Sequence, residues 1–164
     1  MHKPKIALTI AGTDPTGGAG VMADLKSFHA CGVYGMAAIT SIVAQNTKGV
    51  QHIHNLETSW LEEQMISVFD DELPHALKTG MIASKSMMQL IAQYLRQYPD
   101  IPYVIDPVML AKSGDSLMDD EAKADLQNIL LPFATVATPN IPEAEEIVGF
   151  KINSESDIHN AGKV

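Results

Sequence analysis

Two carboxylates, Asp106 and Glu143, each stand just after a short apolar run, and no histidine or cysteine cluster accompanies them. Hard oxygen donors of this kind suit Mg²⁺, which keeps most of its waters and is usually shared with nucleotide phosphates. Both residues also have a purely structural reading. Glu143, behind Pro142, suits the positive N-terminus of a helix, and Asp106 is a turn former before Pro107. The second chemical feature is a loop with Gly12, Gly17, Gly18 and Gly20 between an apolar run and a helical pattern. Such a loop lets backbone approach a ligand closely, while the following helix offers free N–H groups. Its G-x-G-x-x-A spacing (Gly18 to Ala23) begins several residues after the strand ends, and no acid lies in 39–43, about 20 residues on, so a Rossmann site is disfavoured. No Gly-Lys-Ser/Thr follows for a Walker loop.

Other candidates carry less. Asp24, in the first helix, is placed to fix the glycine loop by accepting its N–H bonds or to touch a ligand. Lys112, in a Ser-Gly loop, is either a phosphate contact or a solvated lysine. His52 and His54 share one side of a strand without a third ligand nearby, which reads as the wet face of an edge strand or flap. Cys31 reads as a small buried hydrophobe, and Trp60 as packing. Nothing resembles a Ser-His-Asp or Cys-His nucleophile, so acyl transfer is disfavoured.

The elements that must position these residues follow from periodicity. Lys5 to Ala11, Met36 to Val43, Ala76 to Thr79, Tyr103 to Asp106 and Val136 with Ala137 read as strands. A helix carries Val21, Leu25 and Phe28 and stops at Gly32. Ser59 with Glu62 forms a capping-box pattern ahead of Leu61, Met65 and Phe69. From Ser84 a stripe of Met87, Leu90, Ile91, Tyr94, Leu95 and Tyr98 predicts an amphipathic core helix. Asp119 or Asp120 caps a helix through Leu130, Pro142 opens another, and Ser154 or Ser156 a last one. Strand and helix alternate about five times, which predicts an α/β fold with a mostly parallel sheet and helices on both faces. In such sheets ligands lie beyond the carboxyl ends of the strands. Acids at three of those ends, Asp14, Asp106 and Glu143, suggest a cation and a polar ligand held together.

The 164 residues, 46% hydrophobic and 19% charged, predict one globular domain over 1–164. A formal net charge of −9 disfavours nucleic acid and anionic membrane as partners. A single cysteine excludes an internal disulfide framework, and no segment approaches membrane-spanning length, so the expected setting is cytoplasmic.

The segments TIAGTDPTGGAGVMADLKSF, GVYGMAAITSIVAQNTKGVQ, KTGMIAS, VIDPVMLAKSGD and TPNIPEAEEIVG, in this order, closely resemble the hydroxymethylpyrimidine and phosphomethylpyrimidine kinases of thiamine biosynthesis, in the ribokinase superfamily. The resemblance implies a ribokinase-like fold and transfer of the ATP γ-phosphate to the pyrimidine's hydroxymethyl group, then to the monophosphate. It implies that Gly12 and Asp24 belong to the pyrimidine pocket, that Gln45 bonds the ring edge, and that Val43, Met81 and Val108 are its apolar walls. Asp106 and Glu143, the latter in an Asn-x-x-Glu pattern opened by Asn140, resemble the Mg²⁺ and phosphate group, and Lys112 a loop near the nucleotide. The family's Gly-Thr-Gly-Cys segment, with its anion hole and catalytic cysteine, does not occur in these residues. The chain therefore reads as an N-terminal portion that keeps the pyrimidine half of the site and does not turn over alone. A pyridoxine or pyridoxal kinase of the same superfamily, and a non-catalytic domain that holds a small ring compound, are the rival readings. A homodimer is implied by the superfamily alone.

Overall fold

The computed structural model describes residues 3–82, 84–109 and 120–163. Strand β1 (Ile6–Ala11) is buried at all of its residues because it runs between two parallel neighbours, β2 (Tyr34–Ile39) and β5 (Ala76–Thr79). A strand covered on both faces needs a continuous apolar run rather than an alternating one, and IALTIA is such a run. Strands β6 (Tyr103–Ile105) and β7 (Val136–Ala137) extend the parallel sheet in the order β2-β1-β5-β6-β7.

One face of the sheet presents Leu8, Ile10, Leu77, Tyr103 and Ile105 to α2 (Thr58–Phe69) and α3 (Lys85–Gln97). Helix α3 buries Met87, Leu90, Ile91 and Leu95 as its stripe predicts, and Ser84 caps it by accepting from the Met87 N–H. Phe69 gathers Tyr94 and Tyr98 at ring-centroid distances of 4.6 and 4.9 Å, which is aromatic contact range. The buried Tyr103 hydroxyl meets Thr79 Oγ1 at 2.6 Å, and burial pushes its pKa well up. The opposite face carries α1 (Gly20–Ala30), whose Leu25 and Phe28 pack so tightly on Gly35 that a Cβ there would lie 2.8 Å from Leu25 Cδ2. Helices thus cover both faces.

The apolar run from Met36 to Val43, read as one strand, is two. Thr40 leaves the parallel sheet, with its N–H on Ala11 O and its hydroxyl on Met81 O at 2.8 Å. From Ser41 the chain pairs antiparallel with the next segment, so β3 (Ser41–Asn46) and β4 (Gly49–Asn55) form a separate two-stranded flap. Apolar periodicity registers burial, not which sheet does the burying. His52 and His54 lie exposed on this flap, as expected.

Further details depart from the sequence reading. Cys31 is exposed, since the helix ends with its side chain on the solvent side. Ser59 lies inside α2 rather than capping it: Glu57 is the N-cap residue and makes no side-chain cap bond, while Thr58 Oγ1 bonds Ser86 Oγ at 2.6 Å. Trp60 is 63% exposed, one residue off the Leu61, Met65, Phe69 stripe that faces the core. The helix through Leu130 is composite, with α4 (Asp120–Asp125) running into a π turn at Leu126–Leu130 and a 3₁₀ turn at Leu131–Phe133, where Pro132 ends it. Two helices follow β7: α5 (Ile141–Val148), closed by Gly149 at φ 75°, and α6 (Glu155–Ala161), capped by Ser154.

Candidate active site

The strand order reverses between β1 and β5, because the chain moves outward to β2 and then crosses back. A crevice opens at that switch point, beyond the carboxyl ends of the strands. A cleft of about 700 Å³ occupies it. Gly12, Asp24, Val43, Gln45 and Met81 line it from the loops after β1 and β5, from α1 and from the flap. Asp106, Val108, Asn140 and Glu143 line it from beyond β6 and from the start of α5. These residues, dispersed over 132 positions of sequence, therefore share one cavity (12 to 143). Lys112 and its loop lie outside the described residues.

The glycine loop is shaped by two close approaches. A Cβ on Gly12 would lie 2.9 Å from Met81 Cε and 3.6 Å from Val43 Cγ2, so the bare backbone here admits the apolar walls. Gly20, at φ 56°, opens α1 in a left-handed conformation, and a Cβ there would strike the Gly12 carbonyl oxygen. That carbonyl accepts the Val21 N–H at 3.0 Å. Thr13 fastens the loop to the flap: its N–H donates to Ser41 O, and its Oγ1 accepts the Val43 N–H, both at 2.9 Å.

Asp14, 3% exposed, holds the loop's interior. Its carboxylate accepts the Thr16 N–H at 2.9 Å, the Gly18 N–H at 3.0 Å and the Thr16 hydroxyl at 2.8 Å. Burial pushes the Asp14 pKa up, but the nearby Gln45 side chain and the bonds from Thr16 and Gly18 outweigh it and bring the group down to about 2. The N–H bonds expected of Asp24 are therefore made by Asp14, which precedes Pro15 and Thr16 in an Asx-turn arrangement.

Asp24 faces the sheet instead. Its Oδ2 accepts the Thr9 hydroxyl at 2.6 Å and the Lys78 ammonium at 2.9 Å. Thr9 and Lys78 are register partners in β1 and β5, so they rise side by side beneath α1. Lys78 Nζ also lies 3.5 Å from Asp106 Oδ2. Nothing local in the sequence marks Thr9, whereas a lysine inside the short apolar strand ALKT is a signal for Lys78, since a cation largely removed from water requires a partner.

Glu143, 4% exposed, closes a capping box: its Oε2 accepts the Asn140 N–H at 2.9 Å, and Asn140 Oδ1 accepts the Glu143 N–H at 2.9 Å. Its Oε1 accepts the Met109 N–H at 3.3 Å, which ties the segment after β6 to α5. Among the described residues no group of three His, Cys, Asp or Glu side chains gathers to hold a metal. Asp106, with a side chain 37% exposed, is the accessible carboxylate. One or two carboxylates with water and phosphate completing the shell is the habit of Mg²⁺, and this donor set fits it. No helix of the described residues is long and apolar enough to cross a membrane.

A parallel α/β sheet with a cleft at its switch point, acids at the strand ends and a β-flap bordering the cleft defines an α/β domain of the small-molecule-binding class. The chain belongs to the phosphomethylpyrimidine kinase family, whose pattern it matches over residues 14–164. It is 70% identical to a hydroxymethylpyrimidine/phosphomethylpyrimidine kinase of Staphylococcus aureus strain Mu50 over its whole length, which is 59% of that protein. The protein of the same description from Escherichia coli K12 is 48% identical over 87% of this chain and 53% of its own length. The chain thus spans a little over half the length of these relatives. Among solved structures it superposes on phosphomethylpyrimidine kinase from Clostridium difficile 630 with a TM-score of 0.90 at 47% identity, covering 97% of this chain and 69% of that one. It also superposes on Staphylococcus aureus pyridoxal kinase in complex with AMP-PCP and pyridoxal with a TM-score of 0.86 at 32% identity, covering 99% and 58%. The ribokinase-like fold is common to these neighbours.

Proposed function

We propose that the cleft binds hydroxymethylpyrimidine and its monophosphate, and that the whole protein transfers the ATP γ-phosphate to them in thiamine biosynthesis. One observation carries this reading: Gln45, Val43 and Met81 share a cavity with Asp106 and Glu143. A flat ring with an exocyclic amino group needs a donor–acceptor amide between apolar walls, and Gln45 between Val43 and Met81 supplies it. Gly12 gives the ring room, Val108 extends the apolar wall, and Asp24 offers its second carboxylate oxygen to the ring's polar edge. Asp106, Asn140 and Glu143 stand on the side where phosphate arrives. Mg²⁺, when bound there by Asp106 and Glu143, supplies charge neutralisation for the phosphates of ATP. Phosphoryl transfer then asks of the chain positioning more than a covalent nucleophile. Lys112 belongs to the nucleotide side of this reading. A cytoplasmic setting follows from the need for ATP, and a homodimer from the family.

Calorimetry of the 164-residue chain tests the substrate. Binding of hydroxymethylpyrimidine well ahead of pyridoxine supports the proposal, and the reverse preference overturns it. Pyridoxal phosphorylation is the second reading, favoured by the fit to a pyridoxal-bound kinase. Gln45, in Ala-Gln-Asn, speaks for the aminopyrimidine.

A further inference from the structure

We propose that Lys78 is a positioning residue that orients the carboxylates on both sides of the cleft at once, Asp24 toward the pyrimidine and Asp106 toward the phosphates. The proposal rests on the pyrimidine kinase reading and adds to it a residue not otherwise given a role there. Lys78 rises from the middle of β5, and its side chain is 18% exposed, so its ammonium has few waters and needs protein acceptors. It finds two, Asp24 Oδ2 at 2.9 Å and Asp106 Oδ2 at 3.5 Å. The Thr9 hydroxyl donates to the same Asp24 oxygen at 2.6 Å, so Oδ2 is committed to the sheet and Oδ1 is left for the cleft.

Sheet register makes the arrangement possible. Lys78 pairs with Val104, and Asp106 lies two residues further along, on the same face. The ammonium therefore stands at the boundary between the half of the cavity under α1 and the half beyond β6. An uncharged residue at position 78 would leave two carboxylates facing one another across the cleft floor with no cation between them. Each would then turn outward to water, and the ring-binding geometry set by Asp24 would be lost along with the orientation of Asp106. Lys78 also borders the cleft, and the role assigned to it is to act through the two acids.

The test compares the 164-residue chain with K78M, K78R and D24N variants, using two readouts. Calorimetry with hydroxymethylpyrimidine is expected to show affinity reduced at least about tenfold in K78M and largely restored in K78R. The K78M/D24N double variant is expected to bind no worse than D24N alone, since residues acting through a shared partner are not additive. Carbon-detected NMR of the side-chain carboxyls, without ligand, is expected to show both Asp24 and Asp106 resonances displaced in K78M. A folded K78M that binds pyrimidine as wild type does, or displacement of the Asp24 resonance alone, overturns the proposal. If wild type binds no pyrimidine while both resonances move, the substrate reading fails and the positioning role stands. If K78M does not fold, K78R carries both readouts, and unmoved carboxyls with scattered binding losses count against the proposal.

Discussion

Met81 Cε stands 2.9 Å from where a Cβ on Gly12 would be, so a wall of the cleft rests against the backbone of the first strand's exit loop. The obstructing atom is the end of a flexible side chain and can move. Gly12→Ala is therefore expected to cost less than about 1 kcal/mol in stability, since a thioether adapts cheaply. The displaced methyl group would intrude on the ring site, and pyrimidine affinity measured by calorimetry is expected to fall several-fold. Unchanged affinity would detach Met81 from the ring.

Gly20 gives the opposite outcome, although it lies in the same loop. Its Cβ would meet the Gly12 carbonyl, which is backbone, and its φ of 56° is unfavourable for a side chain. Gly20→Ala is expected to destabilise the chain by about 1–3 kcal/mol in urea unfolding. A stability loss as small as that of Gly12→Ala would count against the close approach.

Asp14 sets an acid limit on the loop. Its folded pKa, brought down to about 2 by the bonds it accepts, lies well below the ordinary aspartate value of 3.8. A depressed carboxyl contributes stability that is complete above the unfolded pKa and is lost as pH falls through the folded one. The difference corresponds to roughly 2 kcal/mol. Asp14→Asn is expected to be less stable than wild type at neutral pH and to lose less on acidification between about pH 4 and 2. Parallel stability curves for the two proteins would refute the assignment.

Glu143 has the helix cap as its observed task and cation binding as its proposed one, and conservative replacement can separate the two. Glu143→Gln keeps one oxygen to accept the Asn140 N–H but turns an amide NH2 toward the Met109 N–H and removes the charge, so it is expected to cost about 1 kcal/mol, less than the alanine variant. Glu143→Ala abandons the Asn140 and Met109 N–H groups and is expected to cost about 2 kcal/mol. Mn²⁺ binding, followed by paramagnetic relaxation in the presence of nucleotide, is expected to weaken in both variants. If Glu143→Gln binds the ion as wild type does, the residue caps a helix and does nothing for the cation.

Turnover by these 164 residues offers a last measurement. On the proposed reading they carry the ring site and the Asp106 side of the phosphate site, and their sequence contains no Gly-Thr-Gly-Cys segment. Pyrimidine-dependent ADP formation is expected to be absent while pyrimidine binding persists. A rate comparable to that of whole relatives would show that the anion hole is dispensable.

Much of this was legible in the chain. The period of the hydrophobic pattern separates α3 from β1, glycine density locates the loop, and an acid or amide after a strand locates the cleft, because parallel strands point their carboxyl ends the same way. Apolar pattern and local capping signals fail where their consequences depend on distant partners. Thr40 splits an apolar run through bonds to Ala11 and Met81, Thr58 turns to Ser86, and Asp14 rather than Asp24 receives the loop's N–H groups. The sequence by itself determined an alternating α/β chain and the glycine, acid and amide residues at its strand ends, since periodicity and turn chemistry are local. Only the tertiary structure decided that Lys78 stands between Asp24 and Asp106, because that contact depends on the register of β5 against β1 and β6. Register is fixed by long-range pairing, which no stretch of sequence contains.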